Sequence, residues 1–219
     1  MKIASPFRRT RVKICGITRP EDGVSAVVSG ADALGLVFYP GSARHVGIDE
    51  ARKIVAALPA FVTVVGLFVD ADARDVLAVI NAVRIDMLQF HGDETEAFCV
   101  SFGKPYIKAL RMRPDVDLSS EMARYASACG CLVDAWHPDA KGGTGTCFDW
   151  RILPPHLAES LILAGGLSPD NVADALRALR PYALDVSSGV EAGKGIKDVA
   201  KMAAFLREVN KFDYRLHIG

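Results

Sequence analysis

The stretch Val12-Lys13-Ile14-Cys15-Gly16-Ile17-Thr18 decides how this chain is read. An apolar run of strand character carries a thiol to its last position and stops at a glycine, which is how a strand presents a side chain at an open end. An open, doubly wound sheet that binds a dinucleotide would follow its first strand with Gly-x-Gly-x-x-Gly, and Cys15-Gly16-Ile17-Thr18 does not supply that turn. The competing architecture is a closed parallel barrel. Cys15 alone does not choose between chemistry and packing, because cysteine is among the residue types most often buried as a small hydrophobe.

Strand-like and helix-like runs alternate outward from this stretch. Apolar, β-branched runs occur at Val12–Cys15, Ala33–Phe38, Phe61–Val69, Met87–His91, Tyr106–Leu110, Cys131–Asp134, Leu161–Ala164 and Ala183–Val186. Stretches of helical period separate them at Glu21–Ser29, Glu50–Leu58, Ala73–Val83, Glu94–Phe102, Leu118–Ala126 and Pro169–Leu179, and Lys197–Val209 closes the series. The sixth helix, within Asp149–Leu157, is the least clear because it contains Pro154-Pro155. Polar residues at Asp49-Glu50, Asp72, Asp93-Glu94 and Ser168-Pro169-Asp170 mark helix starts. Strict alternation implies parallel strands joined by right-handed crossovers. Eight such units in about 200 residues fit a single-domain α/β fold, the (β/α)8 TIM barrel, near the small end of its size range. The expected organisation is an N-terminal extension over 1–11, a barrel over 12–210 and a C-terminal tail over 211–219, with the extension loosely ordered.

Composition narrows the function. The 219 residues are half hydrophobic, and 26 Lys and Arg balance 26 Asp and Glu. No global basic field exists to attract nucleic acid or an acidic membrane surface, so an anionic ligand must be held by a local site. Five cysteines with no Cys-x-x-Cys pair argue against a disulfide framework and a zinc site, and suit reduced thiols in a cytoplasmic protein. The N-terminal stretch has arginines but no apolar run of signal type, and no run approaches the length of a membrane span.

In a parallel barrel the active site forms at the C-terminal ends of the strands. Strand one ends at Cys15, strand two leads into Tyr39-Pro40-Gly41-Ser42-Ala43-Arg44, strand four ends in Gln89-Phe90-His91-Gly92-Asp93, and strand six ends at Asp134. Strands seven and eight give Ala164-Gly165-Gly166 and Asp185-Val186-Ser187-Ser188-Gly189. These last two loops can cradle a phosphate with backbone N–H groups and hydroxyls, at the barrel position where phosphates often bind. Arg44 reads equally as a solvated surface residue or as a guanidinium for a carboxylate. His91 has either an acid–base or a structural reading and is a supporting member of the set. Lys141-Gly142-Gly143-Thr144-Gly145 suits a lid or a plain linker. Lys13 shares a face with Cys15 by the period of two, so its amine approaches the thiolate or contacts substrate. Cys99, Cys129, Cys131 and Cys147 have no comparable placement and read as packing residues.

Taken in order, these blocks, together with Gly35-Leu36-Val37-Phe38-Tyr39-Pro40, Gly142-Gly143-Thr144-Gly145, Leu167-Ser168-Pro169-Asp170-Asn171-Val172 and Val190-Glu191, resemble the phosphoribosylanthranilate isomerases of tryptophan biosynthesis from about Val12 to about Val209. The resemblance implies a cofactor-free Amadori rearrangement of N-(5-phosphoribosyl)anthranilate to 1-(2-carboxyphenylamino)-1-deoxyribulose 5-phosphate. By it, Cys15 is the general base and Asp134 the general acid. Arg44 binds the anthranilate carboxylate, Gly165, Gly166, Ser188 and Gly189 hold the phosphate, and Asp185 orients the amino and ribose groups. The expected partner is therefore a small phosphorylated substrate, with no nucleic acid or membrane, on a monomer or homodimer. The chain departs from the family pattern in its N-terminal extension and in His137 and Asp139, where Asp139 is a weak competitor for the acid role. Among rivals, the related sugar-phosphate isomerase of histidine biosynthesis would want an aspartate in place of Cys15, and an indole-glycerol-phosphate synthase needs a catalytic lysine and glutamate not evident in the sequence. A phosphate-binding barrel without catalysis is the remaining alternative.

Overall fold

The computed structural model of the chain describes residues 9–112, 117–135 and 153–218. Eight parallel strands close in sequence order: β1 (Arg11–Cys15), β2 (Ala33–Val37), β3 (Thr63–Phe68), β4 (Met87–Phe90), β5 (Tyr106–Met112), β6 (Gly130–Ala135), β7 (Leu161–Leu163) and β8 (Ala183–Val186), which pairs back onto β1. The helices are α1 (Pro20–Val28), α2 (Ile48–Ala56), α3 (Ala73–Ala82), α4 (Glu96–Val100), α5 (Leu118–Ala123), α6 (Pro155–Ala158), α7 (Val172–Leu179) and α8 (Val199–Ile218). The fold is the expected TIM barrel. All eight strands lie within the runs read from sequence or within two residues of their ends.

The strands read as nearly continuous apolar runs because both their faces are covered. On β1 and β2, Val12, Ile14, Leu34 and Leu36 face outward and join the main core against the helices. The alternate residues point into the barrel, and register carries that parity around the ring: Lys13 pairs with Asp185, Cys15 with Gly35, Leu67 with Gln89, and Arg111 with Asp134. Ile107, Ala109, Leu132, Ile162, Ala164 and Ala183 fill one part of the interior. Cys15, Val37, Leu67 and Val69 form a separate buried cluster around the thiol.

Several boundaries differ from the sequence reading for local reasons. Phe61 is fully exposed in a left-handed conformation with φ 67°, so β3 starts only at Thr63. Helix α4 begins after Glu94 because the Glu94 carboxylate is committed to the β4 loop, and the Thr95 hydroxyl caps the helix by accepting from Phe98 N–H. The supposed tail is part of α8, whose buried Met202, Phe205, Leu206 and Val209 and partly buried Phe212 keep a helical apolar stripe going past residue 210. Residues 9–11 are not a loose extension. Thr10 donates from its backbone N–H and its hydroxyl to the buried Asp213 of α8, at 2.8 and 2.9 Å, and Arg9 pairs with Asp32.

Candidate active site

Cys15 ends β1 and points into the barrel, where the opposing position of β2 is Gly35. A Cβ on Gly35 would lie 2.7 Å from the Cys15 Sγ and 3.1 Å from the Lys13 Cε. That vacancy is what lets a thiol and a lysine stem share one side of the interior. Lys13 Nζ donates to both oxygens of Asp185, at 2.9 and 3.0 Å, and its charge acts on the neighbouring thiol. Burial pushes the Cys15 thiol above its ordinary ionisation, with the Lys13 charge pulling against it and Asp185 adding to it. Burial by itself would lower the Lys13 ammonium, but the negative charges of Asp185 and the thiolate outweigh it and hold the amine protonated. The Lys13 amine is thus committed to Asp185, with its charge reaching the thiol beside its stem.

Arg44 is not a solvated surface residue. Its Nε and Nη2 donate to the two oxygens of Glu191 at 2.7 and 2.9 Å, its stem lies over Gly16, and its charge is felt by Cys15. The buried Lys197 Nζ reaches the same Glu191 at 2.9 Å and the Ser187 carbonyl at 3.1 Å. Burial would raise the Glu191 carboxyl, yet Arg44 and Lys197 hold it below the ordinary carboxylate range. Burial lowers the Lys197 amine despite Glu191. The short hairpin Glu191–Gly193 with Ile196–Lys197 thus brings an anion and a cation to the mouth beside Arg44 and Cys15.

A second polar group lines β4 to β6. Asp134, inward on β6 and buried, has Oδ2 3.3 Å from His91 Nε2. Gln89 Nε2 lies 3.2 Å from His91 Nδ1, and Arg111 Nη2 donates to the His91 carbonyl at 2.8 Å.

The two glycine loops meet directly. Gly165 and Gly166 both have positive φ, 84° and 66°, and a Cβ on Gly189 would strike the Leu167 carbonyl and lie 3.0 Å from the Ser168 Cα. Only a residue without a side chain allows the turn Ser188–Val190 to close on the β7 loop. Two strand ends thereby bring adjoining backbone together, an arrangement that suits one small anion.

Sequence reasoning missed Gly35, Gln89, Arg111, Glu191 and Lys197 as members of this mouth. Arg111 was recoverable, since extending β5 by two residues keeps the parity of Ile107 and Ala109. Lys197 carried no signal, because its place depends on a hairpin. Lys108 and Glu94 do form a buried pair at 2.9 Å, but Lys108 alternates with the inward Ile107 and Ala109 and faces away from the mouth. Cys99 and Cys131 are buried, and burial pushes their thiols up to about 12 and about 11. Cys129 is exposed and does not pack as expected, because it precedes β6 and joins the sheet only through its backbone N–H. Cys147, His137, Asp139 and Lys141–Gly145 lie outside the described residues. Among the described residues no cluster of His, Cys, Asp and Glu is arranged to hold a metal ion, and no helix is long and apolar enough to cross a membrane.

Residues 12–208 match the family model described as N-(5'phosphoribosyl)anthranilate (PRA) isomerase. An N-(5'-phosphoribosyl)anthranilate isomerase of Thiobacillus denitrificans is 56% identical over 198 residues, covering 90% of this chain and 97% of that protein. A phosphoribosyl anthranilate isomerase solved in complex with reduced 1-(o-carboxyphenylamino)-1-deoxyribulose 5-phosphate superposes with TM-score 0.81 at 37% identity, covering 92% of this chain and 99% of that one. A monomeric form of the dimeric enzyme of Thermotoga maritima superposes with TM-score 0.78 at 37% identity, over the same shares.

Proposed function

The chain belongs to the N-(5'-phosphoribosyl)anthranilate isomerase family, and on that premise we propose that Cys15 and Asp134 are the base and acid of its reaction. The reaction is the rearrangement of N-(5'-phosphoribosyl)anthranilate to 1-(2-carboxyphenylamino)-1-deoxyribulose 5-phosphate. Asp134 gives its proton to the furanose ring oxygen while the C1–O bond breaks and the nitrogen lone pair forms the Schiff base. Cys15 then takes the proton from ribose C2, and the enolamine tautomerises to the ketone. A base and an acid in one cycle need environments of opposite character. Here the Lys13 charge favours the thiolate, while the carboxyl is buried on β6 across the interior. The cationic Schiff base adds a positive charge near the sulfur at the step that needs the thiolate.

Arg44 meets the anthranilate carboxylate with the donors left over from Glu191, Asp185 orients the ribose and amino groups through Lys13, and His91 supports Asp134. Gly165, Gly166, Ser188 and Gly189 hold the phosphate by backbone N–H groups. All of these residues come from one chain, so the reading is met by a monomer or by each half of a homodimer. A free thiol at position 15 and a biosynthetic substrate suit the cytoplasm.

The observation that carries this reading is the inward placement of the Cys15 thiol beside the Lys13 stem at the end of β1, in the slot Gly35 leaves. The test follows the disappearance of freshly made phosphoribosylanthranilate by its fluorescence. Cys15→Ala and Asp134→Asn are each expected to lose several hundred-fold in turnover or more, on the order of a proton-transfer contribution, with the fold intact. Near-normal turnover in either variant removes that residue's role.

A further inference from the structure

Gln89 is fully buried in the barrel interior, two residues before His91 on the same inward row of β4. Its amide nitrogen is 3.2 Å from His91 Nδ1, while its carbonyl oxygen is buried with no hydrogen-bond partner among the described residues. For packing alone an apolar side chain would serve better, since a buried polar atom left unpaired is costly. On the other side of the ring, His91 Nε2 lies 3.3 Å from Asp134 Oδ2, at ion-pair distance but without the alignment of a hydrogen bond.

An isolated imidazole is far more basic than a carboxylate. Side by side, the two would ordinarily place the proton on the ring and leave the carboxylate bare, which would disarm a general acid. We propose that Gln89 is a positioning residue that prevents this: by donating to His91 Nδ1 it keeps the ring neutral with its single proton on Nε2, so that Asp134 retains its own. A second proton on Nδ1 would point one N–H at another. Neutral His91 then directs its Nε2–H toward Asp134 Oδ2, 3.3 Å away, and the acid proton is carried on Oδ1. After that proton has gone to the ring oxygen, the same Nε2–H stabilises the carboxylate that remains. This rests on the proposed role of Asp134 as the acid.

The charged groups around the imidazole are Asp134 on β6, Arg111 on β5, which donates to the His91 carbonyl, and across the interior the Lys13–Asp185 pair of β1 and β8. Glu94, in the loop after β4, is tied to Lys108 on the outward side. None of these offers an acceptor to Nδ1 in the described structure, which leaves Gln89 as its partner.

The experiment reads the His91 ring nitrogens by long-range proton–nitrogen NMR on the full chain, with the His91→Gln variant identifying the signal. The expected result is a proton on Nε2 and none on Nδ1 from neutral to mildly acidic pH, persisting in Asp134→Asn. Gln89→Met, of similar volume, is expected to let the ring take its second proton at higher pH. It should lower kcat by about tenfold with KM little changed and move the acid limb of the kcat profile, as a lost contribution to acid catalysis would. Gln89→Glu, which offers an acceptor to Nδ1–H, is expected to lower kcat further. A wild-type ring protonated on Nδ1 overturns the proposal, because the amide would then be turned the other way and Asp134 would donate to Nε2. So does Gln89→Met with unchanged ring signals and an unchanged acid limb. If Asp134→Asn keeps normal turnover, the acid assignment falls by itself, whereas the ring signals still decide which proton Gln89 places.

Discussion

Lys13 and Asp185 form a doubly hydrogen-bonded ion pair, 2.9 and 3.0 Å, buried inside the barrel where β8 meets β1, two residues before the thiol of Cys15. The pair sets the charge that the sulfur experiences from both sides, since Lys13 favours the thiolate and Asp185 opposes it.

The two partners should therefore move the thiol in opposite directions. With burial already holding Cys15 above its ordinary value of 9.0, Lys13→Met is expected to raise it further, and Asp185→Asn to lower it by freeing the ammonium. Thiolate absorbance against pH, with Cys15→Ala as the blank, measures both. In kcat/KM the wild type should gain activity as pH rises toward the thiol's ionisation, and Lys13→Met should shift that limb to higher pH. Asp185→Asn also leaves a buried ammonium without its anion, so it should cost about 3–5 kcal/mol of stability by denaturant titration.

Gly35→Ala adds one methyl where the thiol stands, 2.7 Å from Sγ. Overpacking of this kind costs about 1–3 kcal/mol, which a barrel of this size should survive. Turnover should fall by about a hundredfold, since a displaced base loses its reach to the reacting proton. Circular dichroism with steady-state kinetics separates the two effects, and normal kinetics would show that the thiol's position is not critical.

For Arg44→Ala, a larger loss is expected with the full substrate than with an analogue lacking the anthranilate carboxylate. Equal losses would remove the carboxylate contact. Glu191→Gln weakens the hold on both Arg44 and Lys197 and should raise KM more than it lowers kcat.

Glu191 also predicts an acid limb of stability. Its folded ionisation lies below the ordinary 4.5, so its contribution is present above that value and is lost as pH falls through the folded one. The unfolding midpoint of the wild type should therefore drop more steeply below about pH 4.5 than that of Glu191→Gln. Identical slopes would mean that the ion pair adds nothing to stability.

Gly189→Ala should act on phosphate. A Cβ there meets the Leu167 carbonyl, so the β8 turn must withdraw from the β7 loop. Competition by inorganic phosphate or ribose 5-phosphate should weaken by about tenfold or more, as expected when an aligned backbone contact is lost. Unchanged competition would place the phosphate elsewhere.

The fold was legible because it is periodic. Eight apolar runs alternating with helical ones leave few ways to bury every face, and a missing dinucleotide turn after Cys15 removed the main rival. Strand-end position did the same for the thiol, the carboxyl and the glycine loops, since parallel barrels gather those ends at one mouth. Where the reading slipped at Phe61 and Glu94, a left-handed backbone or a side chain's partner overrode local pattern, whereas after residue 210 the helical apolar stripe simply continues through Phe212.

By itself, then, the sequence determined the order of the elements, the parity that puts Lys13 and Cys15 on one face, the strand-end positions of His91 and Asp134, and the family of the chain. Tertiary structure alone decided the pairings: Lys13 with Asp185 across a closing seam, Arg44 and Lys197 on one carboxylate, Gln89 and Asp134 on opposite nitrogens of one ring. Periodicity fixes which face a residue occupies, because it is a property of the local backbone. Which charge it meets there depends on register between strands that lie as much as 172 residues apart, and that is set only when the barrel closes.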